Sequence, residues 1–428
     1  MSQTTRREFI RKSAGAVAAG VALPVLNRQA YSVTVVESLR QPLLAENRVL
    51  VIVELGGGND PLNTFVPLQQ YDIYKSFRSR LAIPKEQVLP LYGTATRGLS
   101  PNLSALKPVA DAARVAVIQA VHYPQANLSH EISRTIYRVG DTNLTPTGQS
   151  GWIGRHSALF GSQDNPLDTV GIGGVNTVLQ AVGAKISGIS ADQQGNPSGY
   201  AFNGDQRFPA DRANQLEAAR LLAGGNASRY YTSLAKAVES DGFNSADAVA
   251  QAAAAYTSGV TYPTTAFAGG LKLISRLASS ASPALGTRVF YISLGGFDTH
   301  ANQDRDHPNL LKQVGEGLKA FYDDLVAHNL VERVLVMVWS EFGRRLADNA
   351  SNGTDHGEAN DLMFIGGKVK GGVYGDDPSL TDLRAGNLKY KIDFREVYAS
   401  VIQGWFGNSA AETAQVLNGN YNTIGFLE

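Results

Sequence analysis

No cysteine occurs among the 428 residues. Its absence excludes disulfides, thiolate metal ligands and a cysteine nucleophile together. It also suits an oxidising compartment, where an unpaired thiol is a liability. Net charge is missing too, since Lys plus Arg and Asp plus Glu each total 38. No overall field draws the chain to nucleic acid or to an anionic surface, so neither is expected as a partner. Long apolar runs are also lacking. The longest candidate, Ser13–Leu26, is too short and too rich in Gly for a stable membrane span. Two motifs fail as well. "GGGND" (56–60) resembles a phosphate loop but carries neither the dinucleotide fingerprint nor the nucleotide-binding lysine. "GQSGW" (148–152) has Trp152 where a nucleophile elbow needs glycine.

What remains is an ordinary globular composition, 43% hydrophobic and 18% charged, with 44 glycines. The first thirty residues read as an address. "TTRREFIRKSAGAVAAGVALPVL" has a basic start with Arg6 and Arg7, then Phe9, Ile10 and Lys12, a weakly apolar centre and Pro24. This fits a twin-arginine signal over 1–30, with the twin-arginine translocation machinery as partner and a periplasmic or secreted destination. The plainer reading is a basic amphipathic helix.

Five short runs rich in β-branched residues follow: "RVLVIVEL" (48–55), "ARVAVIQAV" (113–121), "TRVFYISL" (287–294), "RVLVMVWS" (333–340) and "DLMFIGG" (361–367). They are continuous where a half-exposed strand would alternate, as expected of strands covered on both faces. "HPNLLKQVGEGLKAFYDDLVAHNL" (307–330) sets Leu310, Leu311, Val314, Leu318, Phe321 and Leu325 at helical spacing. The alternation predicts an α/β fold over 45–428 with a doubly wound, mostly parallel sheet. An Ala-rich helical insertion is expected over 210–285.

Ligands of open α/β sheets collect beyond the carboxyl ends of the strands. There the sequence places Asp60; then Ser129 and His130, opening a helix; Asp298 and His300 in "GGFDTHANQ"; Ser340, Glu341 and Arg344 in "SEFGRR"; and Asp355 with His356 in "GTDHGEANDLMF", just before a strand. Acids and neutral imidazoles are the donors of a divalent metal site. Each also has a plainer reading. Asp60 is a turn former, Ser129 a helix N-cap, and His328 a helix C-terminal cap; His156 and His307 are packing or surface histidines.

"LGGGNDPLNTFVP", "LGGFDTHANQ", "SEFGRRLADNASNGTDHG" and "GGKVKGGVYG" resemble the bacterial family catalogued as domain of unknown function 1501, over about 48–425. That family is grouped with the alkaline phosphatase and sulfatase superfamily. The resemblance implies an alkaline phosphatase-like fold, a two-metal centre and a nucleophile at a helix start. It makes Asp60, Asp298, His300, Glu341 and His356 metal ligands and Ser129 the nucleophile. In a second register Asp355 and His356 form the Asp-His pair of the superfamily. Asp298 and His300 stand one residue apart where relatives have three, and Phe342 replaces a histidine. The expected activity is hydrolysis of a small anionic phosphate or sulfate ester, with one or two divalent ions of Zn, Mn, Ca or Mg. His130 joins Ser129 as a catalytic candidate, and Arg344 or Arg134 would clamp the anion. The rival is an exported binding or assembly protein whose metal site is decayed or structural.

Overall fold

In the computed structural model, residues 48–144, 149–162, 164–198, 230–280 and 285–428 are described, with short helical pieces between 214 and 221. The signal-peptide reading of 1–30 lies outside them.

Ten strands form one sheet: β1 (Val49–Gly56), β2 (Val115–His122), β3 (Thr169–Ile172), β4 (Ile186–Ala191), β5 (Pro197–Ser198), β6 (Val289–Gly295), β7 (Val334–Trp339), β8 (Asn360–Gly366), β9 (Gly372–Tyr374) and β10 (Ile392–Asp393). Their order is β9-β2-β8-β7-β1-β6-β3-β4-β5, with β10 also paired to β2. All pairings are parallel except those of β8 with β7 and β2, and that of β5 with β4. A mixed, mostly parallel sheet results.

The unbroken apolar runs follow from cover on both sides. Along β1, Val49, Val51, Val53 and Leu55 enter one core cluster, while Leu50 and Ile52 enter another. Strand β7 divides likewise, Val334, Val336 and Val338 against Leu335, Met337 and Trp339. Helices close both faces. On the first lie α5 (Ala266–Ala278), through Phe267, Leu271 and Ile274, and α6 (Gln303–Ala327), through Leu311, Val314, Leu318 and Phe321. On the second lie α2 (His130–Val139), α3 (Trp152–Phe160), α7 (Phe394–Ser400) and α8 (Ala410–Leu417), through Tyr137, Trp152, Tyr398 and Leu417 among others. Two further helices are α1 (Pro61–Thr64) and α4 (Tyr230–Ala255).

Within the Ala-rich segment, α5 belongs to the layer against the sheet: its Gly270 lies so close that an added Cβ would meet the Ile292 side chain of β6. Among the described residues no helix is long and apolar enough to cross a membrane.

The carboxyl ends of β1, β2, β6 and β7 share one edge of the sheet. Because β8 runs the opposite way, its leading end reaches that edge as well. This brings the loops around residues 57–60, 123–130, 296–302, 340–346 and 353–359 to one rim.

Candidate metal centre

Three imidazoles meet one carboxylate at this rim. The Asp298 oxygens lie 3.3 Å from Nε2 of His130, 3.1 Å from Nε2 of His300 and 3.2 Å from Nε2 of His356. The Nε2 atoms of His300 and His356 are 2.8 Å apart. Ligand atoms of His130, Asp298 and His356 all fall within 4.8 Å of one another. The cluster is open: 46% of the Asp298 side chain is exposed.

The other ring nitrogens explain why Nε2 faces inward. Nδ1 of His130 lies 2.9 Å from Oε1 of Glu341, and Nδ1 of His356 lies 2.8 Å from the Leu128 carbonyl oxygen. Both partners only accept, so each Nδ1 carries the proton and donates it, leaving a lone pair on Nε2. An imidazole anchored through one nitrogen by a carboxylate or carbonyl, with the other free, is the usual arrangement of a metal-ligating histidine. Nδ1 of His300 faces Asp355 more distantly, at 3.6 Å.

Helix α2 fixes His130 through residues spaced four apart, which share a face. Arg134 donates to Oε1 of Glu341 at 2.7 Å and lies 3.3 Å from Glu54. Arg138 grips both Glu54 oxygens at 2.8 and 2.9 Å, and the Tyr291 hydroxyl donates to Glu54 at 2.8 Å. Glu54 is a buried acid inside an otherwise apolar strand, and it docks the helix on the sheet. The Glu341 carboxylate accepts from the Gly57 N–H, at 3.0 Å, as well as from His130 and Arg134. Burial works to raise its carboxyl, but these donors and the Arg134 charge outweigh it and hold it below the ordinary range. Glu341 therefore orients His130, where the expected role was that of a metal ligand.

Arg344 is fully buried. It donates to the carbonyl oxygens of Gly58 and Thr354, each at 2.7 Å, to those of Phe297 and Gly57, and to Oδ1 of Asp298 at 2.9 Å. The expected clamp on an anion does not suit this placement, because all its nitrogens already face protein oxygens. Its role is to tie three loops together. Burial tends to raise the Asp298 carboxyl, but the hydrogen bond and charge of Arg344 lead the effects that bring it down to about 2.

The glycines of "GGGND" serve the same close approach. Gly57 has φ +125, and a Cβ there would lie 2.3 Å from the Asp298 backbone nitrogen; at Gly58, φ +80, it would lie 2.3 Å from the Phe342 ring.

Asp60 stands apart from the cluster. It is fully buried, caps α1 through the Leu62 N–H at 3.1 Å, pairs with Arg78 and accepts from Gln303. Burial raises its carboxyl, yet Arg78, with His307 and Gln303 adding to it, brings the carboxyl below the ordinary range. Its expected place as a metal ligand gives way to this ion pair. Gln303 passes the network on, accepting from Thr299 at 3.1 Å and Thr354 at 2.6 Å, the residues beside Asp298 and Asp355. Asp355 is exposed and lies outside the inner group; besides His300 it receives Asn349 at 3.2 Å.

Ser129 occupies the N-cap position of α2 with its side chain exposed and no capping hydrogen bond. Ser340 is buried and structural, donating to the Leu55 carbonyl and accepting from the Asn59 N–H. His328 caps the end of α6 on the Asp324 carbonyl, at 2.8 Å. His156 and His307 are packing histidines, and burial pushes each down to about 4. Arg78, Gln303 and Glu54 escape the sequence reading. Glu54 and the 130–134–138 spacing carried a signal, while Arg78 and Gln303 carried none.

The sequence matches the family described as "Protein of unknown function (DUF1501)" over residues 147–414. The chain belongs to this family. No curated protein is detectably similar to it. Similar solved structures include Ps i-CgsB in complex with k-i-k-neocarrahexaose, at 10% identity over 87% of this chain and 75% of that one, with TM-score 0.37. The C-terminal periplasmic domain of EcEptC from Escherichia coli, in complex with Zn, shares 10% identity over 75% and 73%, with TM-score 0.34. A mutant of alkaline phosphatase PafA shares 12% identity over 70% and 63%, with TM-score 0.29. Scores this low bear on neither the site nor its chemistry.

Proposed function

We propose that the protein is an exported, metal-dependent hydrolase of phosphate or sulfate esters. The observation that supports this best is the convergence of three Nε2 atoms on Asp298, with the opposite nitrogens of His130 and His356 anchored to Glu341 and Leu128. The donor set fits a divalent ion: His130, His356 and Asp298 would hold it, with His300 beside them. When bound, such an ion polarises an ester oxygen and lowers the cost of anionic attack.

The protein's own part is positioning. Ser129 stands next to His130 at the N-terminus of a ten-residue helix, where backbone N–H groups and the helix dipole favour negative charge. Its hydroxyl is free of a capping bond and is the candidate nucleophile. Arg134, on the same helix, keeps 31% of its side chain exposed and offers positive charge toward an anion. The twin-arginine pattern supports the exported destination.

A second reading also has support. Arg344 already neutralises Asp298, which favours a structural ion on a binding or assembly protein. Protein purified with Zn or Mn is to be assayed on 4-nitrophenyl phosphate and sulfate. The enzyme reading expects turnover that Ser129→Ala and His356→Ala each reduce by at least about a hundredfold. Bound metal with no turnover of either ester would hand the case to the second reading.

A further inference from the structure

Resting on the metal reading above, the geometry points to a centre that takes one ion per chain and selects an imidazole-preferring metal such as Zn over Ca or Mg. The argument begins with the acids. Asp60 is sealed from solvent and faces Arg78, Gln303 and the Leu62 N–H. Glu341 receives Gly57, His130 and Arg134; Glu54 receives Arg138 and Tyr291. Asp355 lies on the far side of the His300 ring, against Nδ1. Only Asp298 turns its oxygens to the Nε2 atoms. Among the described residues, the ligand atoms of His130, Asp298 and His356 fall within 4.8 Å of one another, and His300 joins the same group through Asp298 and His356.

A second dication at Asp60 would also meet a guanidinium charge already in place, because Arg78 pairs with that carboxylate. Like charge at such range disfavours another cation. The remaining donors are three neutral nitrogens and one carboxylate. Ca and Mg take oxygen ligands, whereas imidazole suits Zn and its neighbours. His300 is then the fourth donor: its Nε2 lies beside that of His356 and 3.1 Å from Asp298.

The test is equilibrium dialysis of metal-free full-length protein against Zn, and separately against Ca and Mg, with metal counted by mass spectrometry. The expected result is one Zn per chain, with Ca and Mg bound at least about a hundredfold more weakly. Cobalt in place of Zn should give a single visible spectrum that His300→Ala shifts. Asp60→Asn should leave the count at one; should it fail to fold, Asp60→Asn with Arg78→Gln removes both buried charges together. Two equivalents of Zn, Ca binding as tight as Zn, or loss of the ion in the folded double variant would overturn the single-ion centre while leaving the hydrolase reading standing. No ion of any kind, with no ester cleaved, would overturn both.

Discussion

Asp60 and Asp298 follow neighbouring parallel strands, and both face an arginine, yet they end in opposite states. Asp60 is fully buried and answers Arg78 and Gln303 in a dry network. Asp298 is nearly half exposed and answers Arg344 on one side and imidazoles on the other. What separates them is the material on the solvent side. Over Asp60 lie Gln303 and the start of α1; over Asp298 lie side chains that present lone pairs. A carboxylate at a strand end becomes structural when donors surround it completely, and a candidate ligand when acceptors do.

The largest test of this contrast is Asp60→Ala set against Asp298→Ala. Asp60→Ala strands a fully buried guanidinium, so a loss of about 3–5 kcal/mol is expected in urea unfolding. Asp298→Ala is expected to cost less stability, because Arg344 keeps four backbone carbonyls as acceptors, but to abolish metal binding. Equal stability losses would erase the distinction.

A second test concerns acid. Burial holds His156, whose Nε2 lies 2.9 Å from the Asn408 side-chain oxygen, down to about 4 in the folded chain, against about 6.5 unfolded. A folded value below the unfolded one means that the unfolded chain takes up the proton first. Stability is therefore unaffected above about pH 6.5 and falls as pH drops from 6.5 toward 4, by about 3 kcal/mol at most. His156→Gln should flatten that part of the stability profile; an unchanged slope would assign the acid loss elsewhere.

The smallest effect is expected at Ser129. Replacing a capping serine by alanine usually costs about 1 kcal/mol. Because Ser129 makes no capping bond, Ser129→Ala should cost under about 0.5 kcal/mol while turnover collapses. A full capping loss would show that the hydroxyl serves the helix.

The central strands were legible because burial on both faces leaves a continuous apolar run, and all five quoted runs are strands of the sheet. The strands "TVGI" (169–172) and "ISGISA" (186–191) were not: the first is only four residues long with a glycine among them, and in the second glycine and serine dilute the pattern where cover is thinner. Helix α6 begins at Gln303, a turn earlier than the reading that opened it at His307. Asp304 and Asp306 lie in its first turn, and Pro308 sits inside it. At the site, the rule of loops at strand ends brought His130, Asp298, His300 and His356 together on the right rim. It could not say which acid would acquire a buried cation. Arg78 and Arg344 decide that, and an arginine in a loop gives no sign in sequence of whether its charge will face water or a carbonyl.

Arg344 carries a consequence for assembly. Its nitrogens reach oxygens at residues 57, 58, 297, 298 and 354, so the rim has no local precursor: no single hairpin or helix of this chain contains it. Until β1, β6 and β7 lie side by side, the donors are dispersed along the polypeptide and each holds a cation no better than any isolated side chain. Tight occupancy would thus report completed folding, and a probe that lights up on binding would double as a gauge of how much of the sheet has closed.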